Sequence, residues 1–228
     1  MKRIYRGLLL FKFVAITVFS ILPFKGITQT NAYGLPLRAH AVVDRIVYKA
    51  VVNKDTSVSI VIGTGQSKKM IRLPIDYSAV SSFKFKDFNN DGFKDIFIEF
   101  FSNTPGDCDL YLYNPALKGF THVAGISSYP APIKIPGTKY YYSYHHSGCA
   151  DENWDSDLFF IKNYKVVCIG NISGDACNLT EPGIFIYRER GDNHKLVKRF
   201  KINVIEKYKG YKWEFIERYW KKNYQKFV

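Results

Sequence analysis

Oxygen-bearing side chains recur at alternate positions in one short loop of the chain, and a glycine, Gly92, directly follows the third of them. Calcium takes six to eight oxygen ligands at about 2.3–2.6 Å, and a calcium loop supplies them from alternate side chains and one backbone carbonyl. Glycine permits the sharp turn that aims these oxygens inward. The spacing therefore predicts a Ca²⁺ site formed by Asp87, Asn89, Asp91, the carbonyl of Phe93, and Asp95.

The loop differs from an EF-hand at its twelfth position and in the segment after it. The twelfth position, where an EF-hand carries a bidentate glutamate, is Ile98. Residues 96–101 are β-branched or aromatic apart from one glutamate, which indicates a strand rather than a helix. We expect a β-hairpin with the loop at its tip. A metal-free turn, in which Asx side chains bond their own backbone, is the alternative interpretation.

The rest of the chain is typical of an all-β protein. Phenylalanine and tyrosine are abundant, with 18 and 17 copies, and short alternating runs are separated by turn residues. We expect an antiparallel β-sandwich or propeller-like sheets in a single domain spanning residues 33–228. Residues 41–51 are predicted to pair with 57–62, and 109–113 with 119–123, whereas 213–220 fit a strand or a short helix.

The N-terminus has the composition of an export signal. Basic residues precede an apolar run that only Lys12 interrupts, and the run is too short and broken for a membrane span. We expect residues 1–32 to be a signal peptide cleaved near Ala32, which places the protein in the periplasm or outside the cell. An uncleaved anchor is the alternative; after cleavage, no stable membrane insertion is expected.

The chain is strongly basic, with a formal net charge of +13. Five basic residues and no acidic residue lie in 1–32, so the chain from residue 33 carries a net charge of +8. An exported protein has little access to nucleic acid, and none is predicted as a partner. An acidic protein or an anionic polymer suits the charge, and solubility alone also explains it.

Four cysteines lie after the signal segment, and no pair has C-x-x-C spacing. An even number of cysteines in an exported chain favours disulfides over zinc or redox chemistry. Three pairings are possible, and the one we predict is Cys149–Cys177 with Cys108–Cys168.

A second polar segment runs from Tyr144 to Asp157 and contains two histidines, a cysteine and several acids. Asp151, Asn153, Asp155 and Asp157 alternate and could line one side of an extended strand as a second metal site, although no glycine follows Asp155. The alternative is an Asx loop whose side chains bond to its own backbone.

No G-x-S-x-G elbow accompanies Ser147. We therefore predict no catalytic residues, and the chain is not expected to be an enzyme. An envelope hydrolase or glycan-binding module that uses the Asp151–Asp157 segment is the alternative.

Two motifs together resemble a known group of proteins: the loop Asp87-x-Asn89-x-Asp91-Gly92-x-x-Asp95 and the block Ser147-Gly148-Cys149-Ala150-Asp151. They are similar to exported Gram-negative proteins with integrin- or propeller-type calcium loops. One branch of that group inhibits a secretion-system peptidoglycan hydrolase and is similar to periplasmic lysozyme inhibitors. The resemblance covers about residues 80–190, and it implies an all-β sandwich and inhibition of a lysozyme-like enzyme. The implied partner-binding residues are Tyr144, His145, His146, Ser147 and Gly148. Unlike that branch, this chain has no lipid-anchor cysteine at its signal.

Overall fold

The computed structural model describes residues 38–52, 58–62, 69–73 and 80–228. The predicted signal peptide, residues 1–32, lies outside this part of the chain. In the described ranges, no helix is long and apolar enough to cross a membrane.

The first sheet is an antiparallel meander of four strands in the order β1-β2-β3-β4. Its strands are β1 Arg38–Val43, β2 Ile46–Val52, β3 Val58–Ile62 and β4 Lys69–Leu73. Asp44 and Arg45 join β1 to β2, with φ of 48° and 63°. Two consecutive positive φ angles are what a two-residue hairpin turn requires. The predicted single strand over 41–51 was therefore wrong, because this turn uses residues that give no glycine or asparagine signal.

The second sheet is also a four-stranded antiparallel meander, in the order β5-β6-β7-β8. Its strands are β5 Val80–Lys86, β6 Asp95–Phe100, β7 Cys108–Asn114 and β8 Gly119–His122. The predicted calcium loop joins β5 to β6, and Lys86 lies opposite Asp95 where the two strands meet the loop. The predicted hairpin, and the predicted pairing of the next two strands, are confirmed.

The third sheet has seven strands. They are β9 Ile133–Lys134, β10 Tyr140–Tyr142, β11 His145–Gly148, β12 Asn153–Lys162, β13 Lys165–Asp175, β14 Gly183–Arg190 and β15 Asn193–Phe200. The order is β15-β14-β13-β12-β10-β9, and β11 also pairs with β12. Thus the long strand β12 pairs with β11 near its start and with β10 further along.

One α-helix, α1 Tyr211–Asn223, follows β15 after a 3-10 turn at Ile202–Lys207. Its buried residues, Lys212, Phe215, Ile216 and Trp220, recur at intervals of three and four and so form one face. This segment was predicted as a strand or a helix. The helix forms because its apolar residues then cover the third sheet.

The sheets and α1 are stacked in layers. One core lies between the first two sheets and includes Tyr48 and Tyr113. A second, with Leu110 and Phe159, lies between the second and third sheets, and a third core lies between the third sheet and α1. The predicted all-β, antiparallel, sandwich-like class is confirmed, and the central strands β6 and β7 of the second sheet are buried on both faces.

Candidate functional site

The predicted calcium loop is held by hydrogen bonds from its own backbone. Asp87 Oδ1 and Oδ2 accept from the amides of Asp91 and Gly92 at 3.1 and 3.0 Å, and Asn89 Oδ1 accepts from Asp91 N at 3.0 Å. Asp91 Oδ1 accepts from Phe93 N at 2.8 Å. Gly92 has a φ of 92°, the left-handed conformation that the loop requires of this position. These bonds fix the path of the loop.

Asp95 differs from the other acids of the loop because it is completely buried. Its two carboxylate oxygens accept from Phe88 N at 2.8 Å and Tyr113 N at 2.9 Å. Burial raises the pKa of this carboxyl to about 6, against the opposing effect of the two amide donors. In this arrangement Asp95 fastens the loop to strand β7.

A lysine from the third sheet meets the same loop. The ammonium of Lys134, on β9, donates to the carbonyl of Asn89, and the hydroxyl of Tyr141 donates to the carbonyl of Phe88 at 3.3 Å. Within the described ranges, no three His, Cys, Asp or Glu side chains form a group that could hold a metal ion. A cationic side chain therefore lies against the loop that carries the four oxygen side chains.

The second predicted site is a hairpin end on the third sheet. His145 and His146 of β11 pair with Asp155 and Trp154 of β12, and an exposed turn of residues 147–152 joins the two strands. Four consecutive residues of this turn have positive φ: Gly148 at 121°, Cys149 at 51°, Ala150 at 50° and Asp151 at 72°. We call Gly148–Asp151 the left-handed turn.

A run of positive φ angles needs support from its surroundings. Each non-glycine residue in the left-handed region costs about 1–3 kcal/mol and persists only where the surrounding structure fixes it. Gly148 combines φ 121° with ψ −169°, a region open essentially to glycine alone. Such conformations are concentrated at ligand-binding and active sites.

A disulfide provides the first support. Cys149 is bonded to Cys177, across 28 residues, and the amides of Ala176 and Cys177 donate to Asn153 Oδ1 at 3.0 and 3.2 Å. This predicted pairing is confirmed. The predicted bond between Cys108 and Cys168 is wrong, since both thiols are free. Cys108 is buried in the core between the second and third sheets, and the thiol of Cys168 donates to Gly170 O at 3.5 Å.

A three-residue cluster provides the second support. Tyr144 Oη donates to Asp151 Oδ1 at 2.5 Å, and Lys212 Nζ donates to Asp151 Oδ2 at 2.6 Å and to its carbonyl at 2.7 Å. Burial acts to raise the pKa of Asp151, but the bonds from Lys212 and Tyr144 outweigh it and lower the pKa overall. Tyr144 was predicted to contact a partner. It is 5% exposed, and its hydroxyl bonds to Asp151 and so supports the turn.

His145 and His146 lie on β11, next to the left-handed turn. His145 Nε2 is 3.9 Å from Asp155 Oδ2, and its Nδ1 is buried without a hydrogen-bond partner in the described structure. His146 is half-buried, whereas Ser147 and Gly148 are exposed. Of the five predicted partner-binding residues, these last two are therefore the most accessible.

The acids of the predicted Asp151–Asp157 cluster do not share one side. Asp151 bonds to α1, whereas Asp155 and Asp157 alternate with Trp154 and Ser156, which face α1. Asp157 accepts from Asn171 Nδ2 at 2.8 Å and from Ser143 Oγ at 3.3 Å, and burial raises its pKa. The structure thus corrects the one-sided arrangement and commits these carboxylates to separate local bonds.

Sequence reasoning missed the part of this surface that α1 contributes. Tyr211 and Trp213 are 45% and 50% exposed, and the Trp213 ring centroid lies 3.7 Å from that of Tyr144. Tyr211 has a φ of 54°, rare for a bulky residue. A cavity of about 320 Å³ separates these aromatics from the left-handed turn. No local pattern connects residues about 60 positions apart, so only the fold could identify them.

Comparison with known proteins gives one structural match and no sequence match. No protein-family model matches the chain, and no curated protein matches it. Among solved structures, the chain is similar to one described as a Xanthomonas type IV secretion system related protein. The TM-score is 0.50 at 16% identity, over 75% of this chain and 98% of the other. At this identity the match supports the fold and no more.

Proposed function

We propose that this protein is exported and inhibits a peptidoglycan hydrolase of the lysozyme type by placing the left-handed turn in the enzyme's cleft. The observation that carries the proposal is an exposed turn held rigid from two sides, by the Cys149–Cys177 bond and by the bonds of Lys212 and Tyr144 to Asp151. A loop fixed before binding loses little conformational entropy in the complex, and inhibitors gain affinity in this way.

Three further observations support the proposal. A disulfide is typical of a protein that folds outside the reducing cytoplasm. The Ser147-Gly148 motif lies at the exposed end of β11, the position from which a loop can enter a cleft. The fold is shared with a protein described as related to a type IV secretion system. None of these requires the chain to be catalytic.

We also propose that calcium stabilises the scaffold through the loop of residues 87–95. Its support is the set of four oxygen side chains on one hairpin end. A Ca²⁺ ion at these oxygens would meet the positive charge of Lys134, which lies near Asp87, Asp91 and Asp95 and donates to the Asn89 carbonyl. Calcium would then act on the joint between the second and third sheets, away from the left-handed turn.

An inhibition assay tests the main proposal. The purified disulfide-bonded protein is titrated against a panel of muramidases and the organism's own secreted hydrolases, with peptidoglycan turbidity as the readout. We expect stoichiometric inhibition of at least one enzyme. If every enzyme of the panel remains fully active at a large molar excess, the proposal is rejected.

A pair of variants locates the inhibitory surface. Ser147→Tyr adds bulk at the exposed turn, and we expect it to weaken inhibition about ten-fold or more, as steric changes at the centre of an interface do. Leu117→Tyr adds the same ring at the exposed β7–β8 turn, on a different sheet, and should leave inhibition unchanged. Equal effects of the two variants would place the inhibitory surface elsewhere.

A further inference from the structure

The cavity beside the left-handed turn has two walls of different origin. Ala150, Asp151 and Glu152 of the turn form one wall, and Tyr211, Lys212 and Trp213 of α1 form the other. Trp154, Ala176, Ile202 and Ile205 complete the lining. Lys212 joins the walls through its bonds to Asp151, so the cavity is a fixed feature of the fold.

The charge of this cavity is opposite in sign to that of its surroundings. Residues 183–228 contain 13 basic and five acidic residues, a net charge of +8. In the cavity lining, however, the ammonium of Lys212 is neutralised by Asp151, which accepts its bond at 2.6 Å. Glu152 remains, exposed and with no ion-pair or side-chain hydrogen-bond partner among the residues the structure describes. The lining therefore carries one uncompensated negative charge.

Two aromatic side chains line the same cavity. Tyr211 and Trp213 are about half exposed, and tryptophan faces attract cations most strongly among the aromatic side chains. Ala150 and Asp151 on one wall and Tyr211 on the other adopt left-handed conformations, which cost backbone energy and persist only because the surrounding structure fixes them. The cavity thus combines two exposed aromatic side chains with one carboxylate that has no partner among the described residues.

We propose that this cavity binds an arginine side chain of the inhibited enzyme, with the guanidinium between the indole of Trp213 and the carboxylate of Glu152. Arginine suits the lining because its planar group stacks on aromatic rings and pairs with carboxylates. The cavity volume of about 320 Å³ accommodates one side chain rather than a polymer segment. The inference rests on the proposed function for the identity of the partner, and the cavity chemistry can be tested without it.

The direct test uses N-acetyl-arginine amide as the probe and measures the backbone amide NMR signals of Ala150, Asp151 and Lys212, which line the cavity and are retained in every variant. We expect saturable binding at millimolar concentrations, and binding about ten-fold weaker for the neutral isostere N-acetyl-citrulline amide. Glu152→Gln and Trp213→Leu should each weaken arginine binding about five- to ten-fold. Glu206→Gln removes the same charge from an exposed position outside the cavity and should leave binding unchanged.

Each outcome has a definite meaning. Selective arginine binding that depends on Glu152 and Trp213 supports the inference even if no hydrolase is inhibited, in which case only the proposed function fails. Inhibition of a hydrolase without arginine binding, and without any loss of inhibition in Glu152→Gln, overturns the inference and leaves the proposed function standing. Equal binding of the arginine and citrulline probes overturns it as well.

Discussion

Lys212 Nζ donates to both the carbonyl and the carboxylate of Asp151, at 2.7 and 2.6 Å, and so ties α1 to a turn 61 residues earlier in the chain. The two side chains differ in exposure, with 7% for Lys212 and 47% for Asp151. An ion pair in which only one partner is buried should respond unequally to removal of its two members.

The two single substitutions should therefore differ in cost. Asp151→Ala leaves a buried ammonium without its partner and should lower the free energy of unfolding by about 2–3 kcal/mol. Lys212→Met replaces that ammonium with an apolar side chain of similar length, lets the exposed carboxylate meet water, and should cost about 1 kcal/mol. Urea unfolding at neutral pH measures both. Equal costs, or a larger cost for Lys212→Met, would contradict the assignment.

The same contact predicts a pH dependence. Because the net effect of its surroundings lowers the pKa of Asp151, the folded carboxylate binds a proton more weakly than the unfolded one. Its contribution to stability is then complete above the unfolded pKa of about 4 and is lost as the pH falls through the lower pKa of the folded state. The difference in unfolding free energy between the wild type and Asp151→Asn should be constant from neutral pH to about pH 5 and shrink below about pH 4. If this difference in unfolding free energy grew as the pH fell, the pKa of Asp151 would be raised rather than lowered by folding.

The cysteines make a further prediction that does not depend on function. Burial raises the thiol pKa of both Cys108 and Cys168 to about 12, so neither is a reactive thiolate near neutral pH. We expect the native protein to react slowly with a thiol reagent and the unfolded, unreduced protein to release two thiols per chain. Mass spectrometry of the unreduced digest should recover the Cys149–Cys177 peptide pair. Recovery of a Cys108–Cys168 pair would restore the bond that the structure excludes.

Calcium binding is predicted to depend on Lys134. Calcium should raise the melting temperature if the folded state alone binds it, and Asp91→Ala should abolish the rise. Lys134→Met removes a positive charge that lies close enough to Asp87, Asp91 and Asp95 to interact with them electrostatically, so it should increase calcium affinity several-fold by titration calorimetry. Lys139→Met, in which the lost charge lies over the rings of Tyr140 and Phe160, is the matched control. A melting temperature that is indifferent to millimolar calcium in the wild type and in Lys134→Met would exclude the site.

Local chemistry made several features predictable. The Asx and glycine residues of the loop identified the β5–β6 hairpin, because few other sequences favour that turn. The same chemistry is visible at the turn between β12 and β13, where Asn163 and Tyr164 adopt φ of 50° and 57°. The left-handed turn between β11 and β12 was located only as a polar segment, because its conformation is imposed by the disulfide and by Lys212.

The remaining features depend on contacts that sequence periodicity does not record. In β10, neighbouring tyrosines pack into different cores: Tyr141 lies in one, and Tyr140 and Tyr142 lie in another. Strand β7 is buried on both faces, so its alternate side chains enter two different cores rather than one core and the solvent. The cavity beside α1 forms only because the helix packs back on the third sheet, and this contact could not be predicted from the sequence.

The second sheet has a consequence for how the molecule comes apart. Tyr111 and Tyr113 of β7 face the first sheet, while Leu110 and Leu112 face the third. If the first or the third sheet separated, one face of the second sheet would become exposed while its other face stayed packed. The second sheet would then bury too little surface to remain ordered. The first and third sheets are thus coupled because both pack on the second sheet. We expect the described layers to unfold in one cooperative step rather than as independent parts.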